Sequence, residues 1–165
     1  NALYQREDYI GAVQAFEQAV SEAKGNPQDY LGWANLADTL LWIPGRTDDA
    51  RKAYKRAIEL LEPRLQRAPN DVMLVSRMGL YAARIGDKGK SALLTKNALA
   101  IAPKDPDVHF RSGLAYELNG QRDDALAALI RARELGYPQH LIDTNAELVD
   151  LRRDARYSQH QPQGK

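Results

Sequence analysis

The sequence predicts an all-α fold, a solenoid of helical hairpins with a capping helix at its C-terminal end, from three observations. Glycines recur at one fixed interval, from Gly79 to Gly113 and again from Gly86 to Gly120. Four segments share a small residue at their start and an alanine seven positions later. Proline steps such as Ala102-Pro103 follow these segments. A self-similar period of roughly 20–50 residues is typical of stacked structural units.

The four segments are expected to be the second helices of successive hairpins, and they cover residues 12–19, 50–57, 91–98 and 125–132. Small residues at fixed points allow two antiparallel helices to approach closely, and a bulkier residue one turn on fills the space between pairs. Gly86 and Gly120 are expected to end first helices, because a residue without a Cβ adopts the left-handed C-cap conformation at little cost.

In chain order, the array covers residues 1–138. It starts with a partial repeat, 1–29. In this repeat a first helix is expected to end by residue 9, and the second helix is expected to begin at residue 12. Repeat 30–71 follows, with a second helix extended by about seven residues, nearly two turns. Pro63 lies in that extension and should kink the helix or end it near Glu62.

Repeats 72–105 and 106–138 complete the array, and residues 139–157 are expected to close it. Asn145 or Thr144 caps a short helix there, and Leu148 and Leu151 lie on one face that can cover the last helix pair. Terminal repeats need such a cover with a polar outer side. The glutamine-rich residues 158–165 are predicted to be a disordered tail.

These features resemble the tetratricopeptide repeat family over residues 1–138. The residues that carry the resemblance are Trp33, Asn35, Ala37, Gly79, Gly86, Ala98, Pro103, Gly113, Tyr116, Gly120, Ala125 and Ala132. The resemblance implies a right-handed superhelix whose first helices form a concave wall that binds a protein or peptide. The long second helix before residues 68–71 is similar to arrays attached to bacterial signalling and regulatory proteins, which implies an adaptor role in a larger protein.

No catalytic, cofactor or metal site is predicted, and we expect no enzyme activity. Residues 86–91, GDKGKS, end like a phosphate-binding loop. That loop needs a glycine where Arg84 stands and a preceding buried strand, so we interpret the stretch as a turn between helices. The histidines, His109, His140 and His160, show no spacing typical of a metal site.

The charge balance of 23 basic and 22 acidic residues predicts no nucleic-acid partner. No apolar run reaches the ~18 residues of a membrane span. We expect a cytoplasmic location, and the absence of cysteine leaves a periplasmic one open.

The predicted partner-binding groove uses first-helix residues on the side away from the second helices. Its candidate residues are Asn35, Asp38, Trp42, Met73, Arg77, Arg84, Phe110 and Arg111, with Asn1, Tyr4 and Gln5 in the first repeat. Apolar and arginine side chains together are typical of binding hot spots. Trp42, Leu80 and Leu114 have two open interpretations, as groove residues or as packing between neighbouring hairpins.

The predicted partner is an acidic or extended peptide held by Arg77 and Arg111. Asn1, Asn35 and Arg77 match positions of a family clamp for chaperone C-terminal carboxylates, but Met73 stands where that clamp needs a lysine. The alternative function is self-association through the N-terminal end of the array. A pentatricopeptide-like RNA reader is less favoured, since it needs a basic groove.

Overall fold

The computed structural model describes residues 2–159 and the side chains of residues 8–157. Within residues 2–159 the chain forms ten α-helices, one 3-10 helix and no strand, which confirms the all-α prediction. The chain divides into two compact units, Asn1–Ala68 and Pro69–Lys165.

The first unit contains α1 (Ala2–Ala19), α2 (Tyr30–Leu40) and α3 (Thr47–Arg67). Helices α1 and α3 both pack against α2. Its core combines alanines at the helix contacts with larger side chains, among them Ala37, Ala50, Tyr54 and Leu61. These alanines allow α2 and α3 to lie close together, as the spacing predicts.

Helix α1 is continuous, so the predicted end of one helix before residue 10 and start of another at residue 12 is wrong. No proline interrupts residues 2–19. Gly11 lies within the helix, where a Cβ would meet nothing within 4 Å. The segment therefore has no strong local signal that would stop a helix.

Helix α3 runs through Pro63 to Arg67 and does not end near Glu62. Pro63 is exposed, while Leu61 before it is fully buried. After the proline, the Arg64 guanidinium lies 4.9 Å from the centroid of the Tyr30 ring. Contacts on both sides of Pro63 thus offset the lost backbone hydrogen bond.

The second unit starts with two hairpins, α4 (Val72–Ile85) with α5 (Lys88–Ile101), and α6 (Pro106–Leu118) with α7 (Arg122–Glu134). Helix α6 begins as far after α4 as α7 begins after α5, and this interval is the one that separates the glycines. Asp71 and Asp105 cap α4 and α6, each accepting two backbone N–H bonds. Gly86 and Gly120 have φ of 85° and 82°, which confirms their predicted role at the turns.

Short elements follow α7: α8 (Gln139–Asp143), a 3-10 helix (Ala146–Leu148), α9 (Val149–Arg152) and α10 (Ala155–Gln159). Leu148 and Leu151 are fully buried in one apolar cluster with residues of α6 and α7, which confirms that they cover the last hairpin. The Asn145 side chain accepts the Glu147 N–H at 2.9 Å, so Asn145 is the cap. Of the predicted disordered tail, Ser158 and Gln159 belong to α10, and residues 160–165 lie outside the described residues.

Candidate partner-binding surfaces

The first candidate surface lies on α2, which begins at the N-cap Asp29. At about 100° of rotation per residue, the positions of Asn35, Asp38 and Trp42 fall on the same side of the α2 axis. Asn35 is exposed, whereas Asp38 is half-buried and accepts a hydrogen bond from the Tyr54 hydroxyl. Asn35 is therefore the more accessible of the two polar groups.

Trp42 lies just after α2 and is 48% exposed. Its ring stacks on Tyr9 of α1, with centroids 5.6 Å apart and planes 4° from parallel. Trp42 thus belongs to the surface and not to the buried packing. Tyr9 was missed by sequence reasoning, because its contact joins residues that are distant in the chain and share no repeated spacing.

The second candidate surface, on the second unit, joins α4 to α6. Met73 is 40% exposed and Arg77 follows it one turn later on α4. On α6, Arg111 donates a hydrogen bond to the Ser76 hydroxyl at 3.4 Å and lies 3.9 Å from the Asp107 carboxylate. The hydrogen bond places Arg111 of α6 beside α4, at Ser76, which is next in sequence to Arg77.

Phe110 borders that surface and stacks on Tyr137, with ring centroids 4.2 Å apart and planes 14° from parallel. Burial raises the pKa of the Tyr137 hydroxyl above its usual value. Tyr137 follows α7 directly after Gly136, a glycine with φ of 97°. The predicted residue Phe110 is therefore partly covered by an aromatic ring that the repeat pattern did not indicate.

Other predicted groove positions lie in the interior of the second unit. Leu80 and Leu114 are buried in its apolar cluster, which favours the packing interpretation for both. The Arg84 side chain is 11% exposed and its Nη2 lies 2.9 Å from the Glu147 carboxylate. Arg84 thus binds the C-terminal cap. The side chains of Asn1, Tyr4 and Gln5 lie outside the described residues.

The stretch 86–91 is a turn, as predicted. Helix α5 begins at Lys88, and the Asp87 side chain accepts the Lys90 N–H at 3.0 Å. The Asp87 carboxylate therefore already accepts a hydrogen bond from a backbone N–H that a bound phosphate would need. Among the described side chains there is no group of three or more histidines and carboxylates that could hold a metal ion.

Two curated bacterial proteins are similar to this chain, and no family model matches it. Cytochrome c-type biogenesis protein CycH of Rhizobium meliloti (strain 1021) is 37% identical over 111 residues, covering 66% of this chain and 27% of the relative. Cellulose synthase operon protein C of Pseudomonas fluorescens (strain SBW25) is 26% identical over 132 residues, covering 80% of this chain and 10% of the relative. The solved structure "MamA MSR-1 C2" has a TM-score of 0.41 and 19% identity, covering 81% of this chain and 95% of its own.

The same side-chain contact recurs at the start of two first helices. The Trp33 indole N–H donates to the Pro27 carbonyl at 3.0 Å. His109 Nε2 lies 3.0 Å from the Pro103 carbonyl, and the two residues are six apart in both contacts. The chain has a tetratricopeptide-type helical repeat fold. A tetratricopeptide array of this kind is a scaffold for protein–protein interaction. None of its helices in the described range has the length and apolarity to cross a membrane.

Proposed function

We propose that this tetratricopeptide array holds an acidic, extended peptide of a partner protein on the α4–α6 surface, with Arg77 and Arg111 as the anchoring cations. The observation that carries the proposal is the contact of Arg111 with Ser76, which brings an α6 cation beside α4. Guanidinium groups bind carboxylates in bidentate geometry, and Met73 and Phe110 supply apolar area beside them.

The neighbouring carboxylate does not neutralise Arg111 strongly. Asp107 is 3.9 Å away and its side chain is 59% exposed, whereas the Arg111 side chain is 18% exposed. Because the Asp107 carboxylate is well solvated and the distance is at the limit of an ion pair, the pair contributes little free energy. A partner carboxylate that approached from solvent could therefore replace it at small cost.

The array is also proposed to act as one part of a longer protein. The chain spans about a quarter of one curated relative and a tenth of the other, which supports that role. The names of those relatives concern cytochrome c biogenesis and cellulose synthesis, so a signalling context stays a prediction. The cytoplasmic location stays a prediction as well.

The test is a charge reversal on the α4–α6 surface, Arg77→Glu with Arg111→Glu. We expect capture of the partner by the immobilised array to fall by about tenfold or more, since one anchoring arginine is often worth over 1 kcal/mol. Quantitative capture followed by titration with the isolated partner peptide measures the loss. The control is Lys96→Glu with Lys104→Glu, which changes the net charge equally at two exposed positions outside that surface. Equal capture by both double variants would refute the assignment.

Self-association is the second candidate function, and the exposed Trp42, stacked on the half-buried Tyr9, favours it. Leu41 and Ile10 beside these two residues in sequence are also exposed. We expect, if this surface pairs two copies, that sedimentation coefficients rise with protein concentration and that Trp42→Ser removes the rise. A mass that stays monomeric from micromolar to millimolar concentration contradicts this candidate.

A further inference from the structure

An open cavity of about 550 Å³ lies in the first unit, between α1 and α3 and over α2. A volume in this range suits a side chain or a small ligand. The cavity combines an apolar floor with a charged rim. Its lining residues are, for the floor, Val20, Trp33, Leu36, Leu40 and Ala53, and for the charged rim, Glu17, Arg46, Asp49, Lys52 and Arg56.

The cavity lies on the opposite side of α2 from the predicted groove. At about 100° per residue, Trp33, Leu36 and Leu40 fall on one side of the helix, and Asn35 and Trp42 point roughly the other way. A ligand in this cavity would therefore leave the groove side of α2 free.

Leu40, in the floor of the cavity, stands where the last repeat has a tyrosine. Asp29 and Asp105 are corresponding N-caps, and Leu40 lies as far after the first as Tyr116 lies after the second. Tyr116 packs its ring against the apolar cluster of the second unit. Leu40 has no ring, and the third repeat has the smaller Ala82 at this position.

The Trp33 indole in the floor already has a hydrogen-bond partner. Trp33 donates its Nε1–H to the Pro27 carbonyl at 3.0 Å, which fixes the ring. Val20, Leu40 and Ala53 are buried around it. A preformed apolar surface of this kind binds an apolar side chain without ordering the protein first.

The rim carries more cations than carboxylates. Arg46 Nε lies 2.5 Å from the Asp49 carboxylate, and its Nη2 lies 3.6 Å from Glu17. Lys52 Nζ is 3.6 Å from the same Asp49, and the Lys52 side chain is 78% exposed. Because Asp49 is already engaged by Arg46, the Lys52 ammonium is only partly neutralised.

The third cation of the rim, Arg56, pairs with a residue outside the cavity. Its Nη1 lies 2.9 Å from the Glu59 carboxylate, whose side chain is 63% exposed. An exposed pair of this kind contributes little free energy, so a ligand carboxylate can share the guanidinium. The last repeat has only part of this rim, since uncharged Gln121 and Ala127 stand at the positions that correspond to Arg46 and Lys52.

We propose that this cavity is a second docking site of the array, and that it takes a peptide segment of a partner protein with one aromatic side chain and a carboxylate about one helical turn away. The ring occupies the cavity above Leu40 and rests on Trp33. The carboxylate pairs with Lys52 and Arg56, which are themselves one turn apart on α3. This site uses no residue of the α4–α6 surface.

The two tryptophans of the chain report on this site separately, because Trp33 lines the cavity and Trp42 lies on the other side of α2. The probe is a capped, alanine-based peptide of about twelve residues with one phenylalanine and one glutamate a helical turn apart. We expect it to shift the Trp33 indole N–H signal in ¹H–¹⁵N spectra in a saturable manner and to leave the Trp42 signal in place.

Peptide variants test the chemistry of the occupant. Replacing the phenylalanine by alanine should weaken binding by about tenfold or more, because the ring supplies the buried apolar area. Replacing the glutamate by lysine should also weaken it, and added salt should reduce the difference between the two peptides.

Protein variants test the place of binding. Leu40→Tyr introduces the residue of the last repeat and should abolish binding by filling the cavity. Ala53→Leu introduces the leucine that stands at the corresponding position 94 of the third repeat, and gives a second test if Leu40→Tyr does not fold. Lys52→Glu changes an exposed residue and should weaken the glutamate peptide only.

Several results would overturn the proposal. One is the absence of any Trp33 shift at millimolar peptide, and another is a shift confined to Trp42. Equal affinity of the cavity-filled variant, or equal affinity for glutamate and lysine peptides, also contradicts it. A Trp33 shift that appears on concentrating the protein alone would assign the cavity to a second copy of the chain.

Discussion

At the scale of single residues, two glycines set how closely the hairpin helices of the second unit approach. A Cβ added to Gly113 would lie 2.6 Å from Leu129 Cγ, and one added to Gly79 would lie 3.1 Å from Thr95 Oγ1. Thr95 and Leu129 are separated in the chain by the same interval as the two glycines. The glycine period visible in the sequence is therefore a period of helix contacts.

Replacing Gly113 by alanine tests this close contact. We expect the free energy of unfolding to fall by about 1 kcal/mol, because overpacking costs roughly 1–3 kcal/mol and the helix propensity of alanine returns about 1 kcal/mol. The matched control is Gly89→Ala, where the nearest atom would be Asp87 Oδ1 at 3.9 Å. That variant should be unchanged or more stable in urea denaturation, and a larger loss in the control would contradict the explanation.

The carboxylate of Asp154 makes the cap sensitive to acid. Its hydrogen bonds with Arg156 lower the pKa of Asp154 to about 2, from a usual value of 3.8. A pKa that is lowered by folding stabilises the folded state above the unfolded pKa, and this stabilisation is lost as the pH falls from about 4 to 2. We expect Asp154→Asn to flatten that part of the pH dependence of the urea midpoint.

The same experiment has an independent control in the partner of Asp154. Arg156 Nη2 lies 2.8 Å from the Asp154 carboxylate, and its Nη1 lies 2.7 Å from Asp123 of α7. Arg156→Leu should flatten the acid dependence as Asp154→Asn does. If the Arg156→Leu variant kept the wild-type pH profile, the Asp154–Arg156 pair would not be the cause of the acid dependence.

At the scale of elements, the cap is attached to α4 by an ion pair that the repeat pattern did not indicate. The Arg84 and Glu147 side chains are 11% and 23% exposed, and the two residues are distant in the chain. A pair that is mostly removed from water depends on both partners, because either one alone leaves a poorly solvated charge.

We expect Arg84→Met to lower the free energy of unfolding by about 2 kcal/mol, between the values for exposed and fully buried pairs. The double variant with Glu147→Leu should lose less than the sum of the two single variants. Denaturation of all three variants gives the coupling energy. A coupling energy of zero would show that the pair does not hold the cap.

At the scale of the whole molecule, the second unit has an apolar cluster formed by its own residues. The main cluster of the second unit draws its members from residues between Leu80 and Tyr157. Tetratricopeptide arrays are built from local contacts, and the stability of such arrays is approximately a sum over neighbouring repeats.

The second unit is therefore expected to fold by itself. A fragment of residues 69–165 should show helical circular dichroism, dispersed amide signals and one cooperative urea transition. The full chain, measured in parallel, provides the reference for helix content per residue. A fragment without dispersed signals would show that its interior needs residues 1–68.

The sequence by itself determined the helical class, the hairpin turns and the cover of the last hairpin. These features depend on local chemistry, since Gly86 permits a left-handed turn and Leu148 with Leu151 forms one apolar face. Such properties recur wherever the residues recur, so spacing is enough to predict them.

Only the tertiary structure decided which first-helix side chains reach solvent. Leu80, Arg84 and Trp42 all satisfied the same helical spacing, yet Leu80 is buried, Arg84 binds the cap and Trp42 lies exposed on Tyr9. The cavity beside Leu40 was equally absent from the sequence prediction. The physical reason is that helical periodicity fixes the direction of a side chain, whereas its burial depends on the size and position of neighbours that are distant in the chain.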